Sequence, residues 1–214
     1  MPPRRISDSA VRRLSHYLRF LDEFESAGKR TVSSEYLADR GGITSAQVRK
    51  DLSHFGSFGK RGMGYPVGEL RERIASILGL GRRWRVALIG AGQLGAALFH
   101  YAGFRRQGFG IVAVLDNDPA KIGRRWGDLT VADVAELPSV VHRHGIELAI
   151  VTTPAEAAQD VVDALAGAGV EAILNFAPRK LQVPADVTLR DVNLTIELES
   201  LTFALTQKQA AQQG

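Results

Sequence analysis

The chain has 214 residues, 45% of them hydrophobic, enough for one large or two small domains with packed cores. No apolar run approaches the roughly 18 residues of a membrane span, Met1-Pro2-Pro3-Arg4-Arg5 lacks the apolar stretch of a signal peptide, and the absence of cysteine excludes disulfides, thiolate metal sites and thiol redox switching. The net charge of +4 is uneven: residues 1–85 are +8 and residues 86–214 are −4, which points the first half at a polyanion inside a soluble, cytoplasmic protein with no membrane partner.

Val11, Leu14, Leu18, Leu21 and Phe24 recur at helical spacing and predict a first helix from Ser7 or Asp8 to Ser26, stopped by Gly28. A shorter helix begins at Ser33-Ser34, carries Tyr36 and Leu37, and breaks at Gly41-Gly42. The third opens on Thr44-Ser45-Ala46-Gln47, a capping box in which hydroxyl and amide reciprocally satisfy free backbone N–H groups. On it Val48 and Leu52 face inward, and Gln47, Lys50 and His54 line the opposite side with Arg49 and Ser53 beside them.

Three helices, the last polar and cationic outside, predict a helix-turn-helix that places its third helix in the major groove of double-stranded DNA. The glycine-punctuated segment Phe55 to Tyr65 reads as a hairpin or wing, with Lys60 and Arg61 at its tip to attract phosphate. A small helical oligomerisation domain with a basic loop is the competing reading. From Pro66 to Leu78 an amphipathic connector helix carries Leu70, Ile74, Ile77 and Leu78.

Trp84–Ile89 is near-continuously apolar, as a doubly covered parallel strand should be. It runs straight into Gly90-Ala91-Gly92-Gln93-Leu94-Gly95, a dinucleotide fingerprint. The first glycine makes the tight turn, the second admits pyrophosphate to the backbone, and the third lets the helix pack on the strand. A second apolar strand, Ile111–Leu115, ends in Asp116-Asn117-Asp118-Pro119. Asp116 lies 21 positions beyond Gly95, where a carboxylate accepts hydrogen bonds from the adenosine ribose and repels a 2′-phosphate, favouring NAD(H). Arg124 and Arg125 lie near enough to weaken that preference.

The alternation continues with a helix around Val131–His144, a strand Leu148–Val151, a helix Ala155–Ala168 and a strand Ala172–Leu174. Thr152, Thr153 and Asn175 follow strand ends, at the carboxyl edge of an open α/β sheet where ligands bind, and are pocket candidates or, alternatively, caps for the helices and turns that follow. The five histidines show neither metal-ligand spacing nor a nucleophile pattern, so no catalytic residue and no metal site is assigned. About 40 residues follow Asn175, too few for the substrate domain a dehydrogenase needs. Their last stretch, roughly Leu194–Ala210, is a helix apolar over more than one stripe, which calls for cover on several sides, from a partner subunit or, as the competing reading, from its own chain.

Taken together, these motifs resemble the redox-sensing transcriptional repressor Rex, a bacterial family, over almost the whole chain. The most specific stretch is Gln47-Val48-Arg49-Lys50-Asp51-Leu52-Ser53-His54-Phe55-Gly56 through Arg61-Gly62-Met63-Gly64-Tyr65; the fingerprint, Asp116–Gly123 and Ile173–Pro178 add to it. The resemblance implies a homodimer with winged-helix domains on an inverted-repeat operator, Rossmann domains holding NADH or NAD+ as allosteric ligand, and a swapped carboxy-terminal helix. NADH closes the Rossmann pair and releases DNA, while NAD+ competes. It further implies that Arg49, Lys50 and Ser53 face the groove, Lys60 and Arg61 sit on the wing, and Tyr101 covers the nicotinamide. Arg19 would couple the domains by pairing with an acidic residue before the swapped helix; the matching position here is Asn193, with Asp191 close by.

The expected architecture is therefore a winged helix-turn-helix domain (residues 1–80), an α/β Rossmann-type domain with a parallel sheet (81–192) and a dimerisation helix (193–214). The expected function is that of a repressor, not an enzyme. The alternatives are a small NAD-dependent oxidoreductase, a CoA-binding ligase-type subunit, and a scaffold that uses the nucleotide fold only for assembly.

Overall fold

The computed structural model describes residues 6–56 and 63–213 and separates the chain into two units, Met1–Arg82 and Arg83–Gly214. In the first, helix α1 (Asp8–Ser26) starts where the Ser7 hydroxyl accepts the Ala10 N–H, and it buries Leu14, Tyr17, Leu18, Leu21 and Phe24 along one stripe. Val11, on the same stripe by spacing, stays 40% exposed in the first turn. The stripe packs on α4 (Val67–Ile77), whose Val67, Leu70 and Ile74 are fully buried, and on α2 (Ser34–Gly41). Gly42, left-handed at φ +61, ends α2 and turns the chain into α3 (Ser45–Ser53), which buries Val48 and Leu52 as their spacing requires.

The end of the predicted wing is a strand, and its partner among the described residues lies well back in the chain. Strand β2 (Tyr65–Pro66) pairs antiparallel with β1 (Thr31–Val32), between α1 and α2. At Gly64, φ +74, a Cβ would lie 2.6 Å from the Val32 carbonyl oxygen, so this approach requires glycine. The Lys60 and Arg61 assignments lie outside the described residues.

The second unit is a seven-stranded sheet. Its strands are β3 (Trp84–Ile89), β4 (Phe109–Asp116), β5 (Arg125–Trp126), β6 (Leu129–Asp133), β7 (Leu148–Val151), β8 (Ala172–Asn175) and β9 (Thr188–Asp191), in the order β5-β6-β4-β3-β7-β8-β9. All neighbours run parallel except β5 against β6. From β3 the chain first builds toward β4 and β6, then crosses back to β7, β8 and β9. This reversal opens a crevice at the carboxyl ends of β3 and β7, as in a Rossmann-type fold. Successive β3 residues feed opposite cores: Val86 and Leu88 meet Phe99, whereas Ala87 and Ile89 meet Leu137, Val162 and Leu165. A strand buried on both faces is what the unbroken apolar run encodes.

The connecting helices are α5 (Gln93–Phe99), α6 (Ala102–Arg106), α7 (Leu137–His144) and α8 (Ala155–Gly167). The helix expected around Val131–His144 starts later. Val131 is a buried β6 residue paired with Val114, and α7 begins at Leu137 with Pro138 in its first turn, where a missing N–H costs nothing. Strand β9, a short edge strand with one half-buried side of its pleat, had no legible period and was not expected.

Helix α9 (Leu194–Gln213) closes the chain. Leu194, Ile196, Leu198, Leu201, Phe203 and Leu205 are each 54–66% exposed in the single chain. That much exposed apolar surface on one helix marks it as an interaction element.

The tightest backbone approach sits at the end of β3. Gly90 leaves the strand at φ +106, and a Cβ on Gly95 would lie 2.0 Å from the Gly90 carbonyl oxygen. Gly95→Ala should therefore cost about 3 kcal/mol or more of stability in urea unfolding, at the upper end of overpacking penalties. A variant as stable as the parent would mean that the turn relaxes freely.

Candidate functional site

At the reversal of strand order lies a cleft of about 470 Å³, lined by Gly90, Gly92, Asp116, Asn117, Thr152 and Thr153, with Lys121 and Phe176 at its sides. Its floor is held by side chain to backbone bonds. The Thr152 hydroxyl lies 2.9 Å from the Gly90 carbonyl and 3.1 Å from that of Ile89, to which it donates, tying the end of β7 to the turn after β3. Asp116, 6% exposed, accepts the Ala91 N–H at 2.6 Å and the Asp118 N–H at 2.9 Å, and it pairs with Lys121 Nζ at 3.1 Å. Burial pushes this carboxyl up, but the two backbone donors and the Lys121 ammonium outweigh it and hold the group below the usual carboxylate range.

The cleft fits a phosphate-bearing ligand on two counts. A Cβ on Gly92 would meet nothing within 4 Å, so the backbone there is open to close approach. Thr153 Oγ1 is buried with no hydrogen-bond partner among the described residues, although such a hydroxyl ordinarily has one.

Of the other residues assigned from sequence, Ala91 is buried in the turn, Gly95 is buried in the first turn of α5, and Gln93 and Leu94 are exposed on that same helical turn. Tyr101 is 55% exposed at the break between α5 and α6, its ring edge-on to Phe104, and does not line the cleft of this chain. Asn175 does not line it either. The residue is fully buried: its Nδ2 donates to Asp191 at 2.8 Å and toward the Ala177 and Arg179 carbonyls, and its Oδ1 accepts the Ala177 N–H. A primary amide with every hydrogen-bonding group engaged is an internal strut, here bracing the turn after β8 against β9. Lys121 was missed from sequence; its signal was its place five residues after Asp116, in the same turn.

In the first unit, α3 presents Lys50, Ser53 and His54 to solvent. Arg49 is half-exposed and tied to the start of α2 through Ser34 Oγ at 2.9 Å and Glu35 at 3.2 Å. Gln47 departs from the expected capping box. The Thr44 hydroxyl does accept the Gln47 N–H, but the Gln47 amide, instead of accepting the Thr44 N–H, turns along the helix and donates to Asp51 at 2.7 Å, a charge-assisted bond.

Asp51 is the hub of this face. Only 1% exposed, it receives Arg13 in a two-pronged bond (Nε at 2.6 Å, Nη2 at 2.8 Å) and the Tyr17 hydroxyl at 2.9 Å, so it fastens α3 to α1. Burial pushes its carboxyl up, but the bonds from Arg13, Gln47 and Tyr17 prevail and hold it below the usual range. Burial and the same carboxylate push the Tyr17 phenol up.

Arg19 is exposed on α1. Asn193 Oδ1 accepts the N–H groups of Thr195 and Ile196 and so caps α9. Among the described residues no group of three or more acidic or histidine side chains is placed to hold a metal, and no helix is long and apolar enough to cross a membrane.

Comparison with known proteins gives matching signals in both units. Residues 5–53 match the family model described as a putative DNA-binding protein N-terminus, and residues 82–179 match that of a CoA binding domain. Over 96% of its length the chain is 46% identical to the redox-sensing transcriptional repressor Rex of Desulforamulus reducens, of which 98% is covered. The Rex of Pelotomaculum thermopropionicum is 47% identical over 96% of this chain and 97% of its own. The crystal structure of RSP in complex with beta-NAD+ and operator DNA superposes with a TM-score of 0.92 at 35% identity, covering 98% of this chain and 97% of that one. RSP in complex with beta-NADH gives 0.89 at 34%, covering 98% and 99%.

The Asp51 hub sets a pH dependence. Because its folded carboxyl is held below the unfolded value, its contribution is present above about pH 4 and is lost as pH falls toward the depressed folded value. Asp51→Asn should lose about 3 kcal/mol at pH 7, as when a buried pair is broken, and much less at pH 3. Urea titrations at the two pH values check this, and an equal loss at both would contradict it.

Proposed function

The chain belongs to the redox-sensing transcriptional repressor Rex family, and on that footing we propose that it holds an operator when free or bound to NAD+ and releases it on binding NADH. The observation that carries this reading is likeness along nearly the full length of the chain to repressors of one function. The match of residues 82–179 to a CoA binding domain names another ligand for the same fold, but the RSP structures holding beta-NADH and beta-NAD+, each matched over 98% of this chain, favour the nicotinamide dinucleotide.

In this proposal the backbone of Gly90–Gly95 takes the pyrophosphate, and Asp116 and Asn117 face the adenosine ribose. Lys121 stands where added phosphate charge would fall, and Thr152 and Thr153 face the rest of the ligand, with the unmatched Thr153 hydroxyl as the donor in waiting. Tyr101 serves the nicotinamide only once a second copy is in place, since in one chain it stands outside the cleft. Asn175 acts through the turn it braces. The ligand contributes a ring that is cationic as NAD+ and neutral as NADH. Control of DNA then rests on a difference in affinity between two arrangements of the dimer, since equal affinity shifts nothing.

On the DNA side Lys50 and Ser53 face the groove with Arg49, and Lys60 and Arg61 meet phosphate. Gln47, held by Asp51, acts mainly as a brace. The acidic residue that would pair with Arg19 is replaced by Asn193, a neutral group whose carbonyl already serves two backbone donors. The Arg19 contact therefore contributes less in this chain, and dimer packing carries more of the coupling. We assign the exposed face of α9 to a second copy, where it meets an apolar recess of about 330 Å³ on the sheet lined by Phe104, Phe109, Ile111, Ile150 and Leu174. A regulator of this kind works in the cytoplasm, beside the chromosome and the dinucleotide pool, and turns over no substrate.

The deciding experiment titrates NADH and NAD+ in separate runs against the full chain bound to a duplex selected from a random pool. NADH should release the duplex and NAD+ should not; duplex held equally at saturating NADH, or NADH steadily consumed, would end the proposal. Lys50→Ala should weaken duplex binding about tenfold with NADH affinity unchanged. For the assembly, Leu201→Glu with Phe203→Glu should shift sedimentation from two chains to one, and an unaltered chain that sediments as one would remove the role given to α9.

A further inference from the structure

The amino-terminal edge of the sheet, opposite the cleft, gathers arginine. Arg83 and Arg85 lie at the start of β3, Arg105 and Arg106 end α6, and Arg143 lies in the last turn of α7; all five are exposed. The fold draws them together. The Trp84 N–H bonds the Gly108 carbonyl and the Gly108 N–H bonds that of Arg105, which sets the end of α6 against the start of β3. On the other side the Arg85 guanidinium reaches over the end of α7, with Nη2 2.9 Å from where a Cβ on Gly145 would stand. Residues 99–115 and 137–146 contain no carboxylate, although residues 86–214 are net negative; Glu147 borders the group. Among the described residues none of the five forms a salt bridge.

The carboxyl ends of α6 and α7 do favour nearby cations. That accounts for Arg105, Arg106 and Arg143, but Arg83 and Arg85 are on a strand and its lead-in. Every member is arginine, whose planar fork matches phosphate better than lysine does. Arg105 and Arg106 flank, without lining, the apolar recess assigned above to α9, whose walls include Phe104 and Phe109. The chain also enters this unit here, directly after Arg82, from the DNA-binding unit.

We propose that this arginine edge is a second, sequence-independent contact for the phosphate backbone of duplex DNA, outside the segment read by α3. The proposal rests on the DNA-binding reading above. Such a contact adds affinity and salt dependence without adding base specificity.

The test compares the full chain with the triple variant Arg105→Ser, Arg106→Ser, Arg143→Ser, and with the matching triple lysine variant. Each binds a pool-selected duplex site of about 20 base pairs and the same site extended to about 60, over a salt series. The unaltered chain should prefer the longer duplex. The serine variant should lose that preference, and its slope of log affinity against log salt should be shallower by about 2 to 3 for each chain whose edge meets the duplex, near 0.9 per phosphate released. The lysine variant should keep most of the slope, and NADH affinity should be the same in all three. A serine variant with unchanged slope and length preference overturns the proposal, leaves the repressor reading standing, and turns the edge toward an acidic protein surface. Failure of the unaltered chain to bind either duplex overturns both.

Discussion

Much of the second unit turns on one short hydrogen bond, from the Ala91 N–H to the Asp116 carboxylate. It joins the turn after the first strand to the end of the second, across a sheet whose strand order reverses beside it. With the Asp118 N–H and Lys121 on the same carboxylate, the bond holds the turn after β3 against the end of β4, beside the crevice. Asp116 was read from sequence as a ribose ligand. Its first duty is architectural: the same ionised group that would greet a ribose keeps the fingerprint turn in shape.

The first unit solves a similar problem in the same chemical language. Its third helix is short, and nine residues cannot hold a helix in place by propensity alone. A nearly buried carboxylate, Asp51, collects a guanidinium, a phenol and an amide, and so pins the helix that carries Lys50 and Ser53. A buried carboxylate so fully matched is costly to disturb, because removing any one partner strands charge in a low-dielectric site. In both units the group that shapes the working surface is hidden behind it.

How much of this was legible in the sequence follows from which signals are local. The apolar run of β3, the glycine spacing and the stripe of α1 are local patterns, and each predicted its element. What stayed hidden depends on partners distant in the chain. The pairing of Tyr65–Pro66 with Thr31–Val32 joins two residues to two, below any period. Val131 fits a helical stripe and a strand equally well, and its pairing with Val114 decides for the strand. Asn175 stands where ligand-binding residues stand, yet a carboxylate 16 residues on and its own turn claim its amide. Gln47 fits a capping box by spacing, but the buried Asp51 carboxylate, four residues on, takes its amide as a donor.

Helix α9 carries a consequence for how the protein exists at all. A chain that leaves six large aliphatic and aromatic side chains on one terminal helix in water has deferred part of its hydrophobic stabilisation to an encounter. If that surface is satisfied by another copy, thermal midpoints will rise with protein concentration, and dilution alone will loosen the sensing half. Copy number then becomes a variable of regulation alongside the nicotinamide pool: a cell that lets the protein grow scarce would lose repression even while its redox balance stayed put.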